Sequence, residues 1–335
     1  MSGYKTWDTY IHADTIEKTI ERIDLDYYGT DVWVGRSLHT GTGKQINRKF
    51  NSIVLAYRYA QTRYQHRPSF TLDTNQLNVN SSLYLGSIGF SLSKFYKDQY
   101  IFRFGANEDI PEGLVVQFLY GALEKELKEL RYYLGIDVSR GKHFEGLGYF
   151  SLNASYGNFF SEKQTSNTTL NIGFTYFTDL LRSKKWYYRQ FIYLKYVNGI
   201  NKPEHEKITL RPDELYGFNS GTLKGRSKVL VNLEGVTYAP YNLIGFRFAP
   251  LILAGFGMIE SDEVKLFTGH LYQAYAVGVL LRNENLLNAS FQFTYGVYPY
   301  VPDRTNPSSK FNPVVNITVR FRSFAVVKPD VVSYN

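Results

Sequence analysis

Residues Phe311 to Phe324 alternate between two chemical faces without a fault. Val315, Ile317, Val319 and Phe321 share one parity; Asn316, Thr318, Arg320 and Arg322 share the other. Successive side chains of a strand point to opposite sides, so this segment has one apolar side and one polar, cationic side. The pattern recurs along the chain. Ile53, Leu55, Tyr57 and Tyr59 oppose Ser52, Ala56 and Arg58, and Leu114, Val116, Phe118 and Tyr120 oppose Gln117. Tyr132, Leu134, Ile136 and Val138 oppose Asp137 and Ser139, and Phe291, Phe293, Tyr295 and Val297 oppose Gln292 and Thr294. A repeated two-faced strand of this kind is the pattern of an all-β, transmembrane antiparallel β-barrel, apolar toward lipid and polar toward a wet lumen.

Counting such segments gives about 14 strands, within a range of roughly 12 to 16. The tally includes a short strand at Val32–Arg36 and one in which Tyr100, Phe102 and Phe104 oppose Arg103. In Leu83 to Leu92 the apolar parity changes near Gly86, which predicts a β-bulge. Turn chemistry marks Asn107 to Asp109, followed by Pro111 and Gly113. Ala122 to Leu130 has helical local propensity but suits the charged end of a hairpin better. The longest interruption, about Asn198 to Gly225, is a candidate functional loop. Residues 1–26 are expected to be a linker or the remnant of an upstream segment, with Asp14 to Arg22 as a short helix or linker. Residues 27–324 are expected to form the barrel and 325–335 a short periplasmic tail.

Composition narrows the compartment. The chain has 335 residues and no Cys, which excludes disulfide frameworks, thiolate metal sites and Cys nucleophiles. Its 29 Tyr and 24 Phe are enough to furnish aromatic girdles at two membrane interfaces. No apolar run reaches the length of a spanning helix, about 20 residues. Net charge is +8. The basic residues sit singly at alternating positions and in loops, which suits anionic lipid or lipopolysaccharide phosphates and not nucleic acid. Met1-Ser2-Gly3 leads into no secretory apolar core, so the sequence is expected to be a processed portion of a longer chain.

Catalytic motifs are weak. The six His (His12, His39, His66, His143, His205, His270) show no metal-ligand spacing. There is no Gly-x-Ser-x-Gly elbow, and Gly41-x-Gly43-Lys44 lacks the rest of a phosphate-binding loop. The expectation is a protein without enzyme activity and without a cofactor or metal.

Residues 215 to 257 carry a more specific pattern. Leu215-Tyr216-Gly217-Phe218, Leu223-Lys224-Gly225, Asn232-Leu233-Glu234 and Leu253-Ala254-Gly255-Phe256-Gly257 follow one another at characteristic spacing. This resembles the C-terminal barrel of the bacterial surface antigen superfamily, which holds outer-membrane protein insertases and two-partner-secretion transporters. Looser likenesses, such as Gly245-Phe246-Arg247-Phe248 and Lys328-Pro329, point to a Bacteroidetes-like branch. The resemblance implies a long loop folded into the lumen with residues 215–218 at its tip. The family's tip Arg stands here as Tyr216 and its strand Asp as Gly255, so the ion pair between them is lost as a pair. Losing one alone would strand a buried charge. Packing of Tyr216 and Phe218, and a bond from the Tyr216 hydroxyl to Glu234, are the expected replacements.

The inward parity would then gather Arg58, Arg103, Arg189, Lys195, Lys228, Arg247, Arg320 and Arg322, against fewer carboxylates such as Asp137 and Glu234. Such a ring either favours anions in a pore or bonds to the tucked loop and stiffens a plugged barrel. Phe324 ends the alternation and is a candidate for the aromatic that closes outer-membrane strands. The implied setting is the bacterial outer membrane, with membrane lipids, lipopolysaccharide, client polypeptides or envelope proteins as partners. Two functions fit: transport, insertion or secretion of envelope polypeptides or lipids, or a passive structural barrel or anion pore that anchors a periplasmic domain or partner.

Overall fold

The computed structural model describes residues 2–13, 20–39, 50–101, 104–105, 107–162, 166–262, 264–283, 290–304, 307–312 and 323–335. Among these residues there is no helix, and so none long and apolar enough to cross a membrane. They form one antiparallel sheet of 16 strands. In chain order these are β1 (Ser2–Ala13), β2 (Ile20–His39), β3 (Phe50–His66), β4 (Ser81–Gln99), β5 (Asn107–Lys125), β6 (Arg131–Phe144), β7 (Gly148–Phe160) and β8 (Asn167–Phe177). Then come β9 (Leu181–Ser183), β10 (Trp186–Ile200), β11 (Ser227–Tyr238), β12 (Asn242–Leu243), β13 (Phe246–Glu260), β14 (Tyr272–Asn283), β15 (Ser290–Tyr298) and β16 (Ser308–Phe311). The short β9 and β12 pair beside β10 and β13; the other 14 form an unbroken meander from β1 to β16.

The two parities face different surroundings. On the outer face Phe118 is 53% exposed, Ile252 62% and Val277 58%, whereas Gln117, next to Phe118, is 4% exposed on the inner face. Leu134, Leu152, Tyr156, Phe291, Phe293 and Tyr295 extend the exposed apolar surface. Inner positions such as Asp137, Ser139 and Thr294 are buried. The sheet is strongly curled: Arg189 of β10 reaches Asp98 of β4 at 2.8 Å across the interior.

The path differs from the one read in the sequence. Ser2–Ala13 is strand β1, paired residue for residue with Ile20–Asp31 of β2, not a linker. Its ladder is made by main-chain groups, which need no clean apolar parity. Ile20 to Arg22 lie in β2, and the rest of the expected short helix, residues 14–19, falls outside the described residues. Residues 100, 101 and 104 are not in a strand, and residues 102 and 103 lie outside the described residues. β4 ends at Gln99, Tyr100 takes a left-handed φ of 59°, and Ile101 and Phe104 turn into the interior. The expected turn at Asn107–Asp109 is instead the start of β5, which runs on through Pro111 and Gly113. One expected strand is thus lost, and β1 with the short β9 and β12 are gained. Of the last expected strand, residues 313–322 lie outside the described residues, and with them Arg320 and Arg322.

No bulge occurs at Gly86, where β4 keeps its register with both β3 and β5. Leu85 is simply an inward residue, packed with Leu119 and Tyr133. A change of face does occur farther along. Glu108, Ile110 and Glu112 of β5 are buried, and so are Val115, Gln117 and Leu119, on the opposite parity. The partner residues of β4 switch at the same level, with Ser93 opposite Gly113 and Leu92 opposite Leu114, so pairing survives. The hairpin β5–β6 turns at residues 126–130, so the charged stretch there is its end.

An outer face that meets hydrocarbon tolerates no cation near the bilayer centre. The substitution Val277→Arg should destabilise the protein by about 2–4 kcal/mol in liposome unfolding titrations, and Leu77→Arg, in the β3–β4 loop, by less than about 1. Equal effects would mean that Val277 does not face lipid.

Candidate functional site

Among the described residues, three pieces of chain fill the interior. The first is the loop 201–226 between β10 and β11. A bridge between Ile208 and Gly225 pins its neck. Pro212 opens a helical turn, a position where its missing N–H costs nothing. Tyr216 and Gly217, at φ 40° and 84°, end that turn. The Gly217 N–H returns to the Pro212 carbonyl at 2.7 Å. This turn aims Leu215 and Phe218 into the interior, where both are fully buried with Leu210, Leu230, Ile259, Tyr272 and Tyr298. Burying side chains of this size is worth about 1.5–3 kcal/mol each.

Main-chain groups of the tip are held by distant strands. Tyr298 donates to the Tyr216 carbonyl at 2.8 Å, and Lys310 Nζ to the Gly217 carbonyl at 2.7 Å. Asn232 Nδ2 donates to the Glu214 carbonyl at 2.7 Å. Asp303, between β15 and β16, accepts from Ser220, Thr222 and the Gly221 N–H. The Tyr216 hydroxyl points to the Leu233 carbonyl at 3.4 Å, not to Glu234 as expected. Gly255 has a steric role. A Cβ there would lie 2.8 Å from Leu215 Cδ1 and 3.0 Å from Tyr216 Cδ2, so the tip sits where an Asp side chain would be. The bare glycine of the wall lets the two surfaces touch.

The second piece is the β4–β5 turn. Ile101 and Phe104 pack with Ile110, Tyr149, Phe177 and Phe191. Tyr238 donates to the Tyr100 carbonyl at 2.8 Å. Arg247 Nη1 lies beside Gly105 of the same turn.

The third piece is the segment 323–335, of which the sequence places 325–335 outside the sheet as a periplasmic tail. It lies on the inner wall. Phe324 is buried over Gly113 and Gly141 and does not stand at an exposed strand end. The reason is local: the wall under it consists of glycines, which leave room for chain.

Four of the inward cations, Arg58, Arg189, Lys195 and Lys228, are held by carboxylates. Arg58 pairs with Asp31 at 2.9 Å and Asp330 at 2.7 Å. Arg189, wholly buried, pairs with Asp98 and donates to the Gln99 and Thr178 carbonyls. Lys195 and the fully buried Lys228 converge on Glu214, each at 2.6 Å. Arg103 lies outside the described residues. Burial pushes the Glu214 carboxyl up, but the two lysine hydrogen bonds outweigh it and hold the group below its ordinary value of 4.5. Glu234 is the contrasting case: it is buried within reach of Tyr193, Tyr216 and Tyr238, and its Oε2 has no hydrogen-bond partner among the described residues. Among the described residues no cluster of His, Asp and Glu could hold a metal ion.

Sequence reasoning missed Asp31, Asp98, Glu214 and Asp330, because none lies on a parity already read as inward. Glu214 had one visible cue, its place directly before the tip. The glycines at inward positions of neighbouring strands, Gly89, Gly113, Gly141 and Gly157, were a second cue.

Solved structures of similar shape include CdiB from Escherichia coli, at 13% identity and TM-score 0.42, covering 91% of this chain and 61% of that one. CdiB from Acinetobacter baumannii matches at 10% identity and TM-score 0.40, covering 92% of this chain and 56% of that one. The chain therefore spans about three fifths of the length of these structures. No family model and no curated protein matches the sequence.

Two outcomes follow from these contacts. Glu214→Gln removes the anion shared by Lys195 and Lys228 and should cost about 3–5 kcal/mol in unfolding titrations, as breaking a buried pair does. The Glu214 pKa is lowered in the folded protein, so its stabilisation is complete above the ordinary value of 4.5 and is lost as pH falls through the lowered one. Limited proteolysis at 201–226 should accordingly rise in acid for the native protein and be high and flat with pH for Glu214→Gln.

Proposed function

We propose that this chain is the membrane-embedded part of a bacterial outer-membrane barrel that transports, inserts or secretes envelope polypeptides or lipids, held in a closed state. The observation that carries the reading is the tucked loop. Its tip, Leu215 to Phe218, is fixed against Gly255, Tyr298 and Lys310 by apolar contact and three main-chain or side-chain hydrogen bonds to the wall. A wall that exposes apolar side chains outward and grips an inserted loop inward suits a gated passage through lipid. The paired interior cations favour a plugged state over an anion-selective pore. The tip-and-strand pattern of residues 215–257 supports the same superfamily, with the Bacteroidetes-like branch as the finer assignment. No enzymatic step is assigned. The partners in this reading are outer-membrane lipids, lipopolysaccharide and client polypeptides, and not nucleic acid.

The second reading is a passive barrel that anchors an envelope partner; the dense interior packing favours it. Replacing residues 209–224 by a short Gly-Ser linker separates the two. For a gate, single-channel conductance in planar bilayers rises several-fold on replacement. An unchanged conductance with an intact sheet by circular dichroism leaves the passive barrel.

A further inference from the structure

The segment 324–335 follows a bent course over the inner wall. Phe324 and Val326 lie over β4, β5 and β6. Lys328 to Asp330 reach back to Asp31 of β2 and Arg58 of β3. Val331 to Asn335 then cross β6, β7, β8 and β10. Two independent features of the wall match this course.

The first is how the wall bonds to the segment. Ser91 Oγ donates to the Phe324 carbonyl at 2.5 Å, and Gln117 Nε2 to the Val327 carbonyl at 3.4 Å. Arg58 Nη1 donates to the Pro329 carbonyl at 3.1 Å and Asn171 Nδ2 to the Ser333 carbonyl at 2.7 Å. Lys195 Nζ donates to the Asn335 main-chain oxygen at 3.1 Å, and the Tyr133 hydroxyl accepts the Val332 N–H at 2.8 Å. Six side chains from six strands thus bond to main-chain atoms. Main-chain groups are the same in every peptide, so such contacts bind extended chain with little regard to its sequence.

The second is space. A Cβ at Gly89 would come within 2.6 Å of Val326, at Gly141 within 2.4 Å of Phe324, at Gly157 within 3.0 Å of Val332 and at Gly199 within 2.5 Å of Tyr334. The glycines hold open a lane that the segment fills. Its ion pairing is at one place, Lys328 and Asp330 against Asp31 and Arg58, while the Tyr334 hydroxyl donates to the Arg226 carbonyl at 2.6 Å.

We infer that the inner wall over β3 to β10 is a binding track for an extended polypeptide, and that residues 324–335 occupy it in cis. The inference rests on the transport reading and names its cargo class. The occupying segment acts as an internal competitor: a second chain enters the track only as this one leaves.

The test uses a fluorescein-labelled synthetic peptide of residues 324–335 and the purified protein in detergent, read by fluorescence anisotropy. The chain lacking residues 325–335 should bind the peptide saturably, and the full chain at least about tenfold more weakly. A peptide of the same composition in scrambled order should bind within about tenfold of the original; a larger loss overturns main-chain recognition. The sequence has no Cys, and an ideal Cβ at Gly89 stands 3.4 Å from Val326 Cβ, close to the Cβ separation of a disulfide. The pair Gly89→Cys/Val326→Cys should therefore lock the segment, abolish peptide binding when oxidised and restore it to the full-chain level when reduced. Should the shortened chain not fold, the whole chain is folded with a specific protease sequence after Phe324 and cut afterwards. Absence of saturable binding to the folded shortened or cut chain overturns the inference, as does equal binding by the oxidised lock. Peptide binding reports the track alone and loop-replacement conductance reports the gate alone, so either can fail without the other.

Discussion

A one-layered sheet with an apolar outer face has its polar side inside, and the charges there must be neutralised within the molecule. This requirement organises the interior. Arg189, with no exposure, takes Asp98 from the opposite side of the curl and two carbonyls of the chain beside it. Lys228, equally buried, takes Glu214 from the tucked loop. Arg58 takes Asp31 from the neighbouring strand and Asp330 from the far end of the sequence. A buried charge without its partner is costly, so the loop and the last segment serve as counter-ions as well as filling.

The loop and the wall are matched in shape as much as in charge. Leu215 and Tyr216 occupy the space above Gly255, where any side chain would collide. The left-handed backbone of Tyr216 and Gly217 makes the sharp end that fits there, a conformation that glycine enters freely and tyrosine only when the surroundings enforce it. The Tyr298 and Lys310 bonds to the carbonyls of those two residues supply that enforcement. A bare wall and a strained tip are two halves of one contact.

Much of the architecture was legible in the residues. Period-two alternation separated Phe118 from Gln117 and Leu134 from Asp137 correctly, because outer and inner faces differ so sharply in chemistry. Alternation failed where the difference vanished. Ser2–Ala13 mixes aromatic and polar groups on both parities, and Tyr100 to Phe104 alternates although Ile101 and Phe104 turn inward. The parity change near Gly86 suggested a bulge, but it arises because Leu85 is apolar and faces inward. Of the candidate site, the tip Leu215 to Phe218 and the wall residues Glu234 and Gly255 were visible through the family resemblance of residues 215–257. Their contacts were not, since a hydroxyl aimed at the Leu233 carbonyl and one aimed at Glu234 have the same sequence.

The sequence alone determined that the chain forms two-faced antiparallel strands, because side-chain parity is a local property set by backbone geometry. It determined that a long segment between β10 and β11 stands apart from them. Only the tertiary structure decided what fills the interior, which carboxylate answers each cation, and that residues 324–335 lie against the inner wall and not outside it. Those choices join residues far apart in the chain, such as Arg58 with Asp330. Distance along the sequence carries no information about them until the sheet has curled.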